Sequence, residues 1–253
     1  MQHLLATTRG ARPRMRAAEI IGRRIVSGGL PPGTTLPNFD ELAAELSISR
    51  LSVREAMKVL AGKGLVSSRP RRGTVVRPRN EWSRLDADVL VWQIADVPDA
   101  DFVRNLFEVR RIVEPDAAAI VAERGADEAI TSMEQALAAM IATDSRAPES
   151  IHADLSFHKA LLTGTRNEFI AAFAPLIETL LLITFRIQRD SGANPDQFIP
   201  AHRALLDTLK RGEPEAARLA AKTLLEGSEK DAMNGIRLLG LSSGRADARI
   251  MSQ

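Results

Sequence analysis

The 253-residue, 27.6 kDa chain is long enough for one large domain or two modest ones, and its 45% hydrophobic and 26% charged residues allow a buried core under a polar surface. It has no cysteine, which excludes disulfides and thiolate metal sites, and no run of about 18 apolar residues, which argues against a membrane span. The net charge of +2 hides a division: residues 1–80 hold 15 Lys and Arg against 5 Asp and Glu, a net of +10, whereas residues 81–253 hold 19 against 27, a net of −8. Such asymmetry points to a polyanion-binding part joined to an acidic part with another task. The basic start lacks the apolar stretch of a signal peptide, so a cytoplasmic protein with no membrane partner is expected.

Residues 1–15 read as a disordered basic tail. From Arg16, the residues Ile20, Ile21, Ile25 and Val26 recur at helical spacing until Gly28-Gly29 stop the helix. Leu30-Pro31-Pro32-Gly33 is a turn, and Asn38 offers an N-cap to a second helix with an inner stripe of Leu42, Ala43 and Leu46. Ser47-Ile48 connects to a third helix, capped by Ser49 and lined by Val53, Ala56, Met57 and Leu60. Two short strands, Leu65 to Ser68 and Thr74 to Val76, flank Arg69-Pro70-Arg71-Arg72-Gly73. Three short helices and a small hairpin make a winged helix-turn-helix, expected over residues 16–77.

Helix-turn-helix binding places the first turns of one helix in the major groove and surrounds it with positive charge. Ser49, Arg50, Ser52 and Arg54 lie on the first turns of the third helix, opposite its apolar stripe. Arg71, Arg72 and Gly73 form the wing tip, where glycine lets the backbone approach phosphates or the minor groove. The stretch Ile25 to Val76, with its leucine-proline helix start, Ser-Arg-x-x-Val-Arg-Glu-Ala helix, Gly-Leu strand start and basic-glycine wing, resembles the DNA-binding domain of GntR-type transcriptional regulators. One departure stands out. The family often has Ser-Glu-Arg after Leu-Pro, with a DNA-contacting arginine. Here Asn38, Phe39 and Asp40 occupy those positions, and Asp40 would repel a phosphate.

Residues 78–84 read as a linker, residues 85–238 as a helical effector-binding and dimerisation domain, and residues 239–253 as a flexible tail. Seven helices are expected near 84–95, 100–124, 126–143, 148–163, 167–191, 195–211 and 214–238, giving a mostly α fold overall. Pro115 and Pro175 predict a kink or a first-turn position. Asp154 and His158 are four residues apart and face the same way, and His202 lies on a later helix. A carboxylate and two imidazoles in a bundle can bind a divalent metal. His152 should point elsewhere, and His3 lies in the tail. Arg110, four residues before Glu114, is either a helix-face pair or a clamp for an organic acid. Asn167 and Arg186 are weaker candidates, and Trp82 and Trp92 read as packing residues.

Phe107 to Ala122, Asp154 to His158 and His202 to Leu206 resemble the FCD effector domain of FadR-type GntR regulators. That resemblance implies a bundle around a carboxylate-binding cavity, a homodimer on a palindromic operator, and often a metal held by an Asp, a His four residues later and two further His. The first three map to Asp154, His158 and His202, but the fourth falls on Leu224. The resemblance therefore implies either a three-ligand Zn or Ni site or direct effector binding through Arg110, Asp154, His158 and His202. The stretch Pro78 to Trp92 is similar to regulators of D-galactonate and related sugar-acid catabolism. It suggests a sugar-acid repressor, with a regulator of another catabolic pathway or a ligand-free dimerisation module as alternatives. An enzyme is not expected, because no paired nucleophile and base stand out.

Overall fold

The computed structural model describes residues 13–69, 72–94, 100–145, 147–192 and 198–240. Residues 1–12 and 241–253 of the predicted tails, Arg71 and the region around Asn194 lie outside the described residues, whereas Pro13 to Met15, expected in the disordered tail, already belong to the first helix. The chain divides into two compact units, residues 1–96 and 97–253.

The first unit contains α1 (Pro13–Val26), α2 (Phe39–Leu46), α3 (Arg50–Gly62), β1 (Val66–Arg69), β2 (Gly73–Val76) and α4 (Ala87–Ile94). Asn38 closes a capping box on α2: its side chain accepts from the backbone of Asp40 and Glu41, and Glu41 accepts from the Asn38 backbone at 2.8 Å. Ser47, at φ 53°, turns the chain tightly between α2 and α3. Ser49 caps α3, and Val53, Ala56, Met57 and Leu60 face the core, as the spacing predicts. The strands pair antiparallel, with Val66 opposite Val76 and Arg69 opposite Gly73.

The linker expectation gives way at α4. Counted by sequence with the helical domain, α4 instead packs in the first unit, where Val89 and Trp92 join the core formed by Ile21, Ile25, Leu60 and Val76. Two devices hold it there. Gly22 on α1 lies so close to the Trp92 ring that a Cβ at this position would stand 2.3 Å from it. Lys63 bonds Asp86 at 2.6 Å and Asp88 at 2.8 Å. Burial alone would lower the Lys63 pKa, but the two aspartates outweigh that and raise it. Trp82 donates its ring N–H to the Arg77 carbonyl, so the segment expected to link two domains is pinned to the wing.

The second unit contains α5 (Ala100–Arg124), α6 (Asp127–Ala142), α7 (Pro148–Gly164), α8 (Glu168–Ala171), α9 (Ala174–Ser191), α10 (Ile199–Lys210) and α11 (Pro214–Leu238). The bundle therefore has seven helices among the described residues, though not the predicted seven. It loses α4, and the helix expected over 167–191 breaks into α8 and α9, with Pro175 in the first turn of α9. Pro115 instead sits inside α5, which runs on past it. The stretch Glu168–Ser191 is apolar enough to cross a membrane by length and composition, a test that the core helix of a soluble protein also passes. Half of its window is buried within the unit, and α9 turns Thr179, Thr184 and Gln188 inward.

The core of this unit is built from α5, α6, α7, α9, α10 and α11, with Phe157, Leu161, Leu162, Met133 and Leu205 among its most buried members. The faces of α5, α7 and α10 that meet this core also carry its buried charges.

Candidate functional site

In the first unit Arg50, Arg54 and Arg72 are exposed. Arg54 lies on the outer face of α3, Arg72 and Gly73 lie at the wing, and Gly73 takes φ +76°, a conformation that favours glycine. Ser49 is engaged as the cap: its Oγ accepts from the Ser52 amide and lies 2.9 Å from the Ser52 hydroxyl. Arg50 lies 3.4 Å from Asp40, with both side chains about 70% exposed (69% and 70%). Asp40 thus occupies the surface beside the recognition helix and neutralises one of its cations. Sequence reading anticipated the acidic intrusion but not its partner.

In the second unit the four predicted site residues, Arg110, Asp154, His158 and His202, converge with Glu114. Arg110 and Glu114 on α5, Asp154 and His158 on α7, and His202 on α10 are all buried. Arg110 holds Glu114 through Nε to Oε1 and through Nη2 to Oε2 at 3.2 Å. The helix-face pair expected as an alternative to an effector clamp is therefore real, but it sits in the core and not on the surface. Arg110 Nη1 is buried with no hydrogen-bond partner.

The tautomers of the two histidines follow from their partners. His158 Nδ1 lies 2.7 Å from Glu114 Oε2, and His202 Nδ1 lies 2.8 Å from the Phe198 carbonyl. Both partners only accept, so each Nδ1 carries a proton and each Nε2 turns the other way. Those Nε2 atoms face Asp154 Oδ1, at 3.8 Å from His158 and 3.0 Å from His202. His202 Nε2 is close to that oxygen but makes no aligned hydrogen bond. The Phe157 ring stands edge-on to both imidazoles, at 5.7 and 4.9 Å between centroids, and holds them in place.

Burial opposes the charged form of Glu114, but Arg110 and His158 more than offset it and hold its carboxyl at about 2. Burial likewise opposes ionisation of Asp154, and His202, His158 and Arg110 reverse that and lower its pKa. Both carboxylates are therefore anionic at neutral pH.

The ligand atoms of Asp154, His158 and His202 all lie within 4.8 Å of one another, the one such cluster among the described residues. The donor set fits a divalent cation. The Nε2 atoms of both imidazoles face one carboxylate oxygen, and each ring is oriented from behind by an acceptor, as metal-bound histidines are. Leu224 is buried and lines the same cavity, so it places a hydrocarbon where the resemblance calls for a fourth donor.

Arg110, Asp154, His158 and His202 line one cavity together with polar groups that the sequence reading missed: Ser145, Ser150, Thr184, Gln188 and Ser228. A signal for two of them was present. Leu181, Thr184 and Gln188 are spaced as one helix face, so two polar residues continue an otherwise apolar inner stripe. Gln188 donates to Asp231 at 2.9 Å. Of the weaker candidates, Asn167 is the cap of α8, accepting from Phe169 and Ile170, and Arg186 lies 3.9 Å from Asp190. His152 is exposed, as its spacing predicts, and His3 lies outside the described residues.

Residues 13–76 match the bacterial regulatory proteins of the gntR family, and residues 105–227 match the FCD domain. The galactonate operon transcriptional repressor of Escherichia coli K12 is 34% identical over 83% of this chain and 92% of its own. The regulator LutR of Bacillus subtilis is 28% identical over 80% of this chain and 94% of its own. The solved structure of Lar, which controls expression of the Listeria monocytogenes agr system, shares the fold at a TM-score of 0.62 and 19% identity, covering 88% of this chain and 98% of that one.

Proposed function

Because this chain belongs to the GntR family and carries an FCD domain, it is a transcriptional regulator of a non-enzyme family, and we propose that it is a homodimeric repressor of sugar-acid catabolism genes, released from a palindromic operator by an aldonate. The observation that carries the effector half is a pair of unsatisfied buried atoms, Arg110 Nη1 and His202 Nε2, on residues that line one cavity. A buried guanidinium N–H without an acceptor is costly, and a carboxylate entering the cavity supplies one. A divalent cation on Asp154, His158 and His202 satisfies the other. With three protein ligands it keeps open positions and supplies positive charge to an incoming acid, and one carboxylate with two imidazoles suits Zn²⁺ or Ni²⁺.

The sugar-acid assignment draws on the cavity's polar wall. Thr184 donates to the Leu180 carbonyl, leaving its oxygen free to accept, and Gln188 donates through Nε2, leaving Oε1. With Ser150 and Ser228 these groups suit a chain of hydroxyls better than an apolar acid. The galactonate repressor among the relatives supports the same class. On the DNA side, Ser49, Arg50, Ser52, Arg54, Arg71, Arg72 and Gly73 serve two operator half-sites in successive major grooves. Release requires the aldonate to bind the DNA-incompetent state more tightly than the DNA-bound one.

Footprinting upstream of neighbouring sugar-acid genes tests the whole reading. A protected palindrome that disappears with an aldonate is expected, and protection indifferent to every aldonate refutes it. In a thermal-shift panel, an effector at 100 times its Kd should add about 2.7 kcal/mol. Calorimetric titration of Zn²⁺ or Ni²⁺ should give one site per chain, lost in Asp154→Asn. Cation binding that survives this substitution would remove the metal from the reading and leave direct binding through Arg110 and the histidines.

A further inference from the structure

The large apolar residues on the inner stripe of α3 have a packing role, since Val53, Met57 and Leu60 are buried in the core of the first unit. Leu51, the second residue of α3, does not. It is 59% exposed and stands on the same face as Arg54 and Lys58, three and seven residues further on. Its polar neighbours are engaged: the Ser49 and Ser52 hydroxyls lie 2.9 Å apart, and Arg50 is paired with Asp40. The first turn of the recognition helix therefore offers an isobutyl group among cations, at the end of the helix that meets base edges.

An exposed leucine needs no explanation on an ordinary surface. A helix start that enters the major groove would bring it to a surface whose one apolar feature is the C5-methyl group of thymine. We propose that Leu51 is a specificity-determining residue that selects a thymine in each half-site by contact with that methyl. This rests on DNA binding by the winged head and is independent of the effector. The arginines bind guanine edges or phosphates, and leucine adds discrimination that no hydrogen bond supplies.

The test starts by enriching duplexes from random-sequence DNA with the full-length protein, and the enriched duplex is the probe. Each thymine is then replaced in turn by deoxyuridine, which deletes the methyl and keeps every hydrogen-bonding group. One replacement per half-site should weaken binding roughly four-fold, the size of one buried methyl. Leu51→Ala should bind the thymine and deoxyuridine duplexes equally, with an unchanged salt slope and an unchanged thermal midpoint, and Leu51→Met should keep the preference. The proposal is overturned if no thymine responds to loss of its methyl, or if Leu51→Ala still discriminates. Failure to enrich any duplex would overturn it together with DNA binding itself, an outcome distinct from the other two.

Discussion

Two arginine–carboxylate pairs show how differently the two units use the same chemistry. Arg50 and Asp40 meet at 3.4 Å on the surface of the first unit, about 70% exposed, where water and salt screen them. Arg110 and Glu114 meet in the core of the second, each 1% exposed, with His158 closing the network. The exposed pair gives up its partner at little cost, which suits a surface that must exchange a carboxylate for a phosphate. The buried pair cannot be broken without stranding a charge, so it fixes the position of whatever binds at its remaining free nitrogen.

That contrast can be broken most severely at Glu114. Glu114→Ala leaves the Arg110 guanidinium buried and unpaired and should cost about 3–5 kcal/mol in urea denaturation. A loss below about 1 kcal/mol would mean that the cluster is wetter than its burial implies.

The pH response should separate the units in opposite directions. Glu114 has a pKa of about 2 in the fold against an ordinary 4.5, so its contribution is complete above about pH 4.5 and is lost as pH falls towards 2. Lys63 has a raised pKa, so its contribution is complete below its ordinary 10.5 and is lost as pH rises beyond that. Denaturation followed across pH should show a weaker acid limb in Glu114→Gln and a weaker alkaline limb in Lys63→Met. Swapped limbs would contradict both assignments.

Smaller effects are expected at the exposed residues. Arg54→Ala should lower specific DNA affinity by about 1–3 kcal/mol, read by fluorescence anisotropy, and leave the sedimentation profile unchanged. Unchanged specificity would displace Arg54 from the base edges. Asp40→Ala should change stability by less than about 0.5 kcal/mol yet strengthen DNA binding, because it removes an anion and frees Arg50. Weaker binding would show that the pair positions Arg50 for the groove.

The first unit was largely legible because its signals are local. Asn38 and Ser49 are caps, the α3 stripe has helical spacing, and the wing is bounded by Gly73 and a basic run. The place of α4 was hidden because it depends on the absence of a side chain at Gly22, which only the partner ring at Trp92 makes meaningful. In the second unit, the four-residue spacing of Asp154 and His158 and the later His202 were readable, as was the Leu224 departure. The orientation of the rings was not, because it is imposed by the Phe198 carbonyl and by Glu114, groups that become neighbours only through folding. A first-turn place for Pro175 is among the expectations, but the sequence still predicts an unbroken helix over 167–191, because the apolar run before Pro175 reads equally well as part of one helix.

The seating of Trp92 on Gly22 also bears on how the DNA-binding head can be transplanted. A head cut at residue 77, where the hairpin ends, would lose Trp82, Val89 and Trp92 and leave an apolar scar along α1. One carried through residue 96 keeps those side chains and the Lys63 clamp. The exchangeable part for building a chimeric regulator is therefore the wing together with the helix that follows it.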